Sequence, residues 1–140
     1  MNFFDYLPFE SMTEDQWAAY AACVVWACSR DGLTSDEEAA LNTWLSDNNA
    51  ADGLLAKATS IASQGIDKLT ADLAPGNAVG IYLVRDAFRF AMVDGLGTSE
   101  ISGIQDLAQK VGVSSSQAAA IRSACECYVM SQRLWRAAQS

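Results

Sequence analysis

The sequence predicts an all-α fold, a compact bundle of about seven helices. Apolar residues recur at helical spacing through most of the 140 residues, whereas no segment alternates like a β-strand for long. Capping residues and glycines separate these apolar stretches, as expected at helix ends. A unit made of a helix, Asp-Gly-Leu and a second helix also occurs twice, which indicates two helical hairpins packed about a pseudo-twofold axis.

The first hairpin begins at a capping box. Thr13-Glu-Asp-Gln16 predicts a helix from about Glu14 to Ser29, and its apolar residues leave so little polar face that we place it centrally. Asp31-Gly32 ends this helix, because glycine adopts the left-handed conformation that closes a helix. Ser35-Asp-Glu-Glu38 predicts a second capping box. The helix that follows is expected to turn four residues inward, Ala40, Leu41, Trp44 and Leu45.

Two shorter helices are expected between the hairpins. Leu54 to Ala62 shows helical spacing up to Gly65, and a short helix through Lys68 to Leu73 follows. Pro75-Gly76-Asn77 predicts a loop, with Asn77 as the cap of a helix from Ala78 to Val93.

The second hairpin turns at Asp94-Gly95. Thr98 is expected to cap a helix over Ser99 to Lys110, and Ser114 or Ser115 to cap the last helix, from about Gln117 to Ala138. We therefore assign residues 13–140 to one helical domain. Residues 1–12 form an aromatic N-terminal segment that is buried either on this bundle or in a self-association or partner surface. Its apolar residues are Phe3, Phe4, Tyr6, Leu7 and Phe9.

Charge narrows the range of partners. The net charge of −8 argues against nucleic acid and anionic lipid, since both carry negative charge themselves. The stretch before the first helix has no Lys or Arg, so we expect a cytoplasmic and not a secreted protein. Trp17 to Cys28, the longest apolar run, falls short of the roughly 20 residues needed to cross a membrane, and no direct membrane insertion is expected. Four cysteines are expected to be reduced and buried, Cys23, Cys28, Cys125 and Cys127.

Histidine is absent, which removes the commonest general base and the commonest zinc ligand. A non-enzymatic protein is therefore expected, and a metal-dependent hydrolase that uses Glu37 and Glu38 is the remaining enzyme hypothesis.

The internal repeat becomes explicit when the sequence is shifted by 63 residues, from position 31 to position 94. Matched pairs are Asp31 with Asp94, Ser35 with Thr98, Glu37 with Glu100, and Leu41 with Ile104. Turn and cap formation explains these residues, because Asp before Gly suits a tight turn and an acid in the first helical turn complements the helix dipole. Alternatively, pseudo-twofold packing brings the acids together around a cation, and carboxylate oxygens favour Ca²⁺, Mg²⁺ or Mn²⁺. An EF-hand is excluded, since Ala27 and Ser29 would occupy its first ligand positions.

The duplicated helix–Asp-Gly–x–x–(Ser/Thr)–x–Glu pattern resembles the tellurite-resistance TerB-like family over roughly Trp17 to Ile121. This resemblance implies a two-layer helical bundle with pseudo-twofold symmetry. It also implies a non-enzymatic module that acts in stress response or as an interaction scaffold, with a protein partner or self-association.

The resemblance further implies metal ligands, because acids near the turns are proposed to bind metal in that family. Carried onto this sequence, they are Asp31, Glu37, Asp94 and Glu100. Asp86 is a fifth candidate, and because its counterpart in the first repeat is Cys23, the second repeat is the better candidate for a cation. The alternative is a purely structural or adaptor bundle that assembles through its aromatic N-terminus and binds no metal.

Overall fold

A computed structural model describes residues 1–5 and 11–140 of the chain. These residues form seven α-helices and contain no strand, which confirms the all-α prediction. A 3₁₀ turn, Ser29–Asp31, follows the first helix. In chain order the helices are α1 (Glu14–Cys28), α2 (Ser35–Asp47), α3 (Leu54–Ala62), α4 (Ile66–Ala71), α5 (Asn77–Ala91), α6 (Thr98–Lys110) and α7 (Ser115–Gln139).

Helix boundaries repeat along the chain with the same shift as the motifs. A shift of 63 residues, from 14 to 77, places α1 on α5 and α2 on α6, and both ends of each helix coincide. The same shift places α3 inside the first half of α7, and α4 lies between the two sets. The duplication in the sequence therefore extends to the helices themselves.

Helix α1 lies at the centre of the bundle, as its composition predicts. Every residue from Trp17 to Cys28 is buried, and α1 contacts α3, α4, α5 and α6. Helix α5 is the second core helix, buried over most of its length. Trp44 of α2 packs between the two, edge-on to Trp17 with ring centroids 5.4 Å apart and 4.9 Å from the ring of Phe90. The central packing of α1 and α5 brings the beginnings of α2 and α6 close together.

The start of α2 differs from the prediction by one residue. Thr34, and not Ser35, caps this helix, since its hydroxyl accepts a hydrogen bond from the Glu37 amide at 3.2 Å. Glu37 in turn accepts from the Thr34 amide at 3.0 Å, so the acid of the capping box is Glu37 and not Glu38. Two adjacent hydroxyl residues followed by two adjacent glutamates offer two registers, and the sequence pattern does not distinguish them.

Two other helix starts also differ. Gly97 precedes α6, and Thr98 is its first helical residue instead of its cap. Gly76 precedes α5, and Asn77 is already helical. Ser114, and not Ser115, is the cap of α7, since its hydroxyl accepts a hydrogen bond from the Gln117 amide at 3.1 Å.

The N-terminal segment contacts the bundle through part of its aromatic residues. Phe3 is half-buried, with its ring centroid 5.8 Å from that of Tyr128 on α7, whereas Phe4 is 61% exposed. Predictions for Tyr6, Leu7 and Phe9 lie outside the described residues.

The four cysteines are free thiols. Three are buried as predicted, but Cys127 is exposed, because it lies on the outward face of α7. Among the described helices, none combines the length and the apolar character that crossing a membrane requires.

Candidate functional site

The two Asp-Gly-Leu turns each place one glutamate in a buried position at the start of a helix. Glu37 begins α2 and Glu100 begins α6, with side chains only 1% and 5% exposed. Glu100 accepts a hydrogen bond from the Gly97 amide at 2.9 Å, as Glu37 does from Thr34. Acids in the first turn of a helix are usually solvated, so burial of both copies is unusual for residues that only cap a helix.

These two glutamates face each other across the repeats. The pKa of Glu100 is raised to about 7, mainly by burial, with further contributions from the charge of Glu37, a hydrogen bond with its carboxyl group when one of the two is protonated, and the charge of Asp31. Glu37 Oε2 is fully buried, and no group within residues 1–5 and 11–140 donates a hydrogen bond to it. A proton on Glu100 would supply the missing donor. The pair therefore lacks one positive charge, and a proton or a cation can provide it.

Asp31 reaches from the first repeat to the second. Its Oδ2 lies so close to Gly97 that a Cβ atom at that position would be 2.5 Å away, and the same Cβ would be 3.4 Å from Glu100 Oε1. Glycine occupies the position that Thr34 occupies in the first repeat, so the missing side chain makes room for the Asp31 carboxylate. This contact joins the Asp31 turn to the beginning of α6.

Cys28 lies at the end of α1, and the charges of acids from both repeats act on its thiol. Burial raises the pKa of this thiol well above its usual value, and the charges of Glu37, Glu100 and Asp94 raise it further. Asp31 and Asp94 are both exposed, in contrast to the two glutamates. We call Asp31, Glu37, Asp94 and Glu100 the acidic cluster. It combines four of the five predicted site residues, drawn from both repeats and not from the second alone.

The acidic cluster has the donor chemistry of a site for a hard cation. Four carboxylates, one of which has an orphaned buried oxygen, are a set of ligands suited to Ca²⁺, Mg²⁺ or Mn²⁺. As the side chains stand, no three Cys, Asp or Glu residues in the described part of the chain are arranged to hold a metal ion. Binding would therefore require the exposed aspartates to rotate toward the glutamates.

Asp86, the fifth candidate, lies in a different environment. Tyr20 donates a hydrogen bond to its Oδ2 at 2.6 Å, and Arg85 donates to its Oδ1 from Nε at 3.0 Å, with Nη2 at 2.9 Å. Arg85 Nη1 also donates to the carbonyl oxygens of Phe3 and Asp5, at 2.9 and 2.6 Å. We call Tyr20, Arg85 and Asp86 the arginine network. The guanidinium group of Arg85 therefore already supplies the positive charge that balances the Asp86 carboxylate.

Sequence reasoning missed Arg85, Gly97 and Cys28 as neighbours of the candidate acids. Arg85 had a visible signal, since it is a charged residue directly beside Asp86 in the middle of a largely apolar helix. Gly97 had a weaker one, because it replaces Thr34 in the repeat.

Hydrolase chemistry finds little support at Glu37 and Glu38. Glu37 is buried and Glu38 is exposed, so the two side chains do not share one environment.

Comparison of the chain with protein-family models, with curated proteins and with solved structures found no match. The resemblance to the TerB-like family rests on the duplicated motif of this sequence.

Proposed function

We propose that this chain is a non-enzymatic, TerB-like module that binds a divalent cation at the acidic cluster and acts in stress response or as an interaction scaffold. One observation carries the proposal. Two buried glutamates from different repeats face each other, and within the described residues neither forms an ion pair with Lys or Arg. Buried carboxylates without a positive partner destabilise a fold, so their presence calls for a function that offsets this cost.

Matching helix boundaries support the TerB-like part of the proposal. A pseudo-twofold axis that relates α1–α2 to α5–α6 explains why equivalent turns meet at one cluster. The ion would then belong to both repeats, held by one aspartate and one glutamate from each. Ca²⁺, Mg²⁺ and Mn²⁺ are the candidate ions, because oxygen ligands predominate and the buried Cys28 thiol keeps its proton.

Thermal unfolding with and without each of these cations tests the proposal. A cation that binds only the folded chain raises its stability, by about 2.7 kcal/mol at a concentration one hundred times the dissociation constant. The double variant Asp31→Asn, Asp94→Asn should lose this response. Its matched control is Asp47→Asn, Asp106→Asn, which removes the same charge from exposed acids of α2 and α6 outside the cluster. The control should respond like the natural chain.

Calorimetry adds a second readout. Cation binding near pH 7 should release a proton, because Glu100 is partly protonated there and a metal ligand must be ionised. Titrations in two buffers with different ionisation enthalpies measure this proton directly. If no cation raises the midpoint of the natural chain, or if both double variants respond equally, the metal part of the proposal is wrong.

The absence of catalysis is testable separately. The Cys28 thiol beside the cluster is buried, which raises its pKa, and the chain has no histidine to activate water. Turnover of generic phosphoester or peptide substrates with added Mn²⁺ would contradict a non-enzymatic module.

A metal-free adaptor bundle is the second candidate. Phe4 favours it, since this ring is 61% exposed beside Phe3 and Tyr128 and could contact a partner. Substitution Phe4→Ser should then abolish assembly measured by sedimentation, without changing the fold. A natural chain that remains monomeric would exclude assembly through this segment.

A further inference from the structure

The second half of α7 has an apolar face that this domain leaves uncovered. We call Cys127–Gln139 the α7 tail. Met130 is 53% exposed, Leu134 64% and Trp135 63%, and every residue from Arg133 onward is exposed. Together with Cys127 and Ala138 these side chains follow the i, i+3, i+7 spacing of a helix that docks into a groove. Large apolar side chains clustered in this way typically mark a binding surface.

Charge sets the α7 tail apart from the rest of the chain. It carries Arg133 and Arg136 and no acid, and Glu126, which borders the same apolar face, is paired with Arg122. In the described part of the chain, neither arginine has a carboxylate within ion-pairing distance. The tail is therefore a basic and apolar helix on an acidic protein, and the surface that best complements it is acidic and apolar.

Such a surface lies on the same molecule, between α2 and α3. A groove of about 1010 Å³ opens there, and we call it the α2–α3 groove. Its apolar lining includes the half-buried Leu33 and Leu55, together with Leu45 and Leu54, which are only 5% and 4% exposed. Glu38 and Asp52 also line it, and both are exposed and form no ion pair within the described residues. Leucines thus alternate with acids that have no cationic partner.

We propose that the α7 tail of one copy of this chain docks into the α2–α3 groove of a second copy. Leu134 and Trp135 would pack on the leucines, and Arg133 and Arg136 would approach Glu38 and Asp52. Each copy has one tail and one groove, and these are different surfaces. The contact is therefore head-to-tail, and repetition builds rings or open chains instead of a closed dimer.

Sedimentation of complementary variants tests this arrangement. The tail variant is Leu134→Ala, Trp135→Ala, which removes the exposed apolar side chains and keeps good helix formers. The groove variant is Glu38→Lys, Asp52→Lys, and its control, Asp36→Lys, Asp106→Lys, reverses the same number of charges on exposed acids outside the groove. Circular dichroism and unfolding curves establish that each variant is folded. Should the tail variant be unfolded, Arg133→Glu, Arg136→Glu replaces it.

The natural chain and the control should show a mass that rises with concentration past that of a dimer, from about 10 μM to about 1 mM, the range that reports weak interfaces. Tail and groove variants should each be monomeric alone. An equimolar mixture should form a dimer and nothing larger, because one intact tail meets one intact groove. This experiment leaves the acidic cluster intact, so its outcome is independent of cation binding.

A natural chain that stays monomeric over this range overturns the proposal. So does a groove variant that associates as the natural chain does, since the tail would then pair with another tail or another surface. A mixture that remains monomeric likewise overturns it.

Discussion

Within the described residues, carboxylates are buried in two places, and their charge is balanced in one of these places but not in the other. In the arginine network, Asp86 receives hydrogen bonds from Tyr20 and from a guanidinium group, so its charge is balanced by the chain itself. In the acidic cluster, Glu37 and Glu100 face each other, and burial together with the neighbouring charge raises the pKa of Glu100 to about 7. A balanced acid is sufficiently explained by stability, whereas the unbalanced pair is the reason why we propose a cation at the acidic cluster.

This difference changes how the five candidate acids are ranked. Asp86 was a candidate ligand for a cation in the second repeat, because its counterpart in the first repeat is Cys23. In the structure, however, Asp86 belongs to the arginine network with Arg85. The four acids of the acidic cluster, by contrast, are the ones that match between the two repeats. Equivalence within the repeat is therefore the better guide to which of these acids belong to the acidic cluster.

Breaking the arginine network should have the largest effect. Arg85→Met leaves Asp86 buried without its cation and releases the carbonyl oxygens of Phe3 and Asp5. We expect the free energy of unfolding to fall by about 3–5 kcal/mol, measured by urea unfolding. Arg89→Met is the matched control, because Arg89 lies on the same helix and stacks on Tyr128 but forms no described ion pair. Equal losses in the two variants would contradict a special role for Arg85.

Removing one charge from the acidic cluster should instead raise the free energy of unfolding. Glu100→Gln keeps an oxygen that accepts from the Gly97 amide and adds an amide hydrogen able to reach the orphaned Glu37 oxygen. At pH 8, without added cation, we expect this variant to be more stable than the natural chain by roughly 1–3 kcal/mol. The same variant should lose the stabilisation by Ca²⁺, Mg²⁺ or Mn²⁺. A less stable variant would show that the two glutamates do not repel each other.

The dependence on pH follows from the raised pKa of Glu100. Because the folded chain holds this proton more tightly than the unfolded chain, its contribution is fully present below pH 4.5 and is lost as the pH rises through about 7. The stability advantage of Glu100→Gln should therefore grow between pH 4.5 and 7 and then level off. Unfolding curves of both chains across this range measure the difference. A constant difference would mean that Glu100 titrates normally.

Gly97→Ala should have the smallest effect on stability. Gly97 has a φ of −81°, which alanine also adopts, so the backbone is not strained. The new methyl group must instead displace the Asp31 carboxylate, which is exposed and can rotate into solvent. We expect a change below about 1 kcal/mol in the free energy of unfolding, but a loss of at least about tenfold in cation affinity. Ser102→Ala, also on α6, is a control that should change neither.

The sequence predicted the helices and their duplication well, because both depend on local signals. Apolar spacing and the Asp-Gly turns located the helices, and the shift of 63 residues located the equivalent acids. The start of α2 was wrong by one residue, since Thr34 and Ser35 are chemically equivalent caps. Local pattern cannot choose between them, whereas burial of Glu37 against the second repeat does.

Contacts between distant residues were harder to foresee. The approach of Asp31 to Gly97 depends on how two helical hairpins pack, which no short motif encodes. Burial of Glu37 and Glu100 was likewise unexpected, because first-turn acids usually face solvent. Arg85 shows a different limit of the sequence pattern, which indicates Asp86 as a candidate ligand but does not indicate that Asp86 pairs with Arg85.

The carboxyl pair also has a consequence for how the molecule opens. Glu37 and Glu100 begin helices that lie in different halves of the chain, so neither turn can unfold without separating the pair. Local opening of the α2 turn should therefore be coupled to opening of the α6 turn, and amide hydrogens in both should exchange with solvent together. A cation at the cluster would slow the hydrogen exchange of both sets of amides at once, because it would link two segments that lie far apart in the chain.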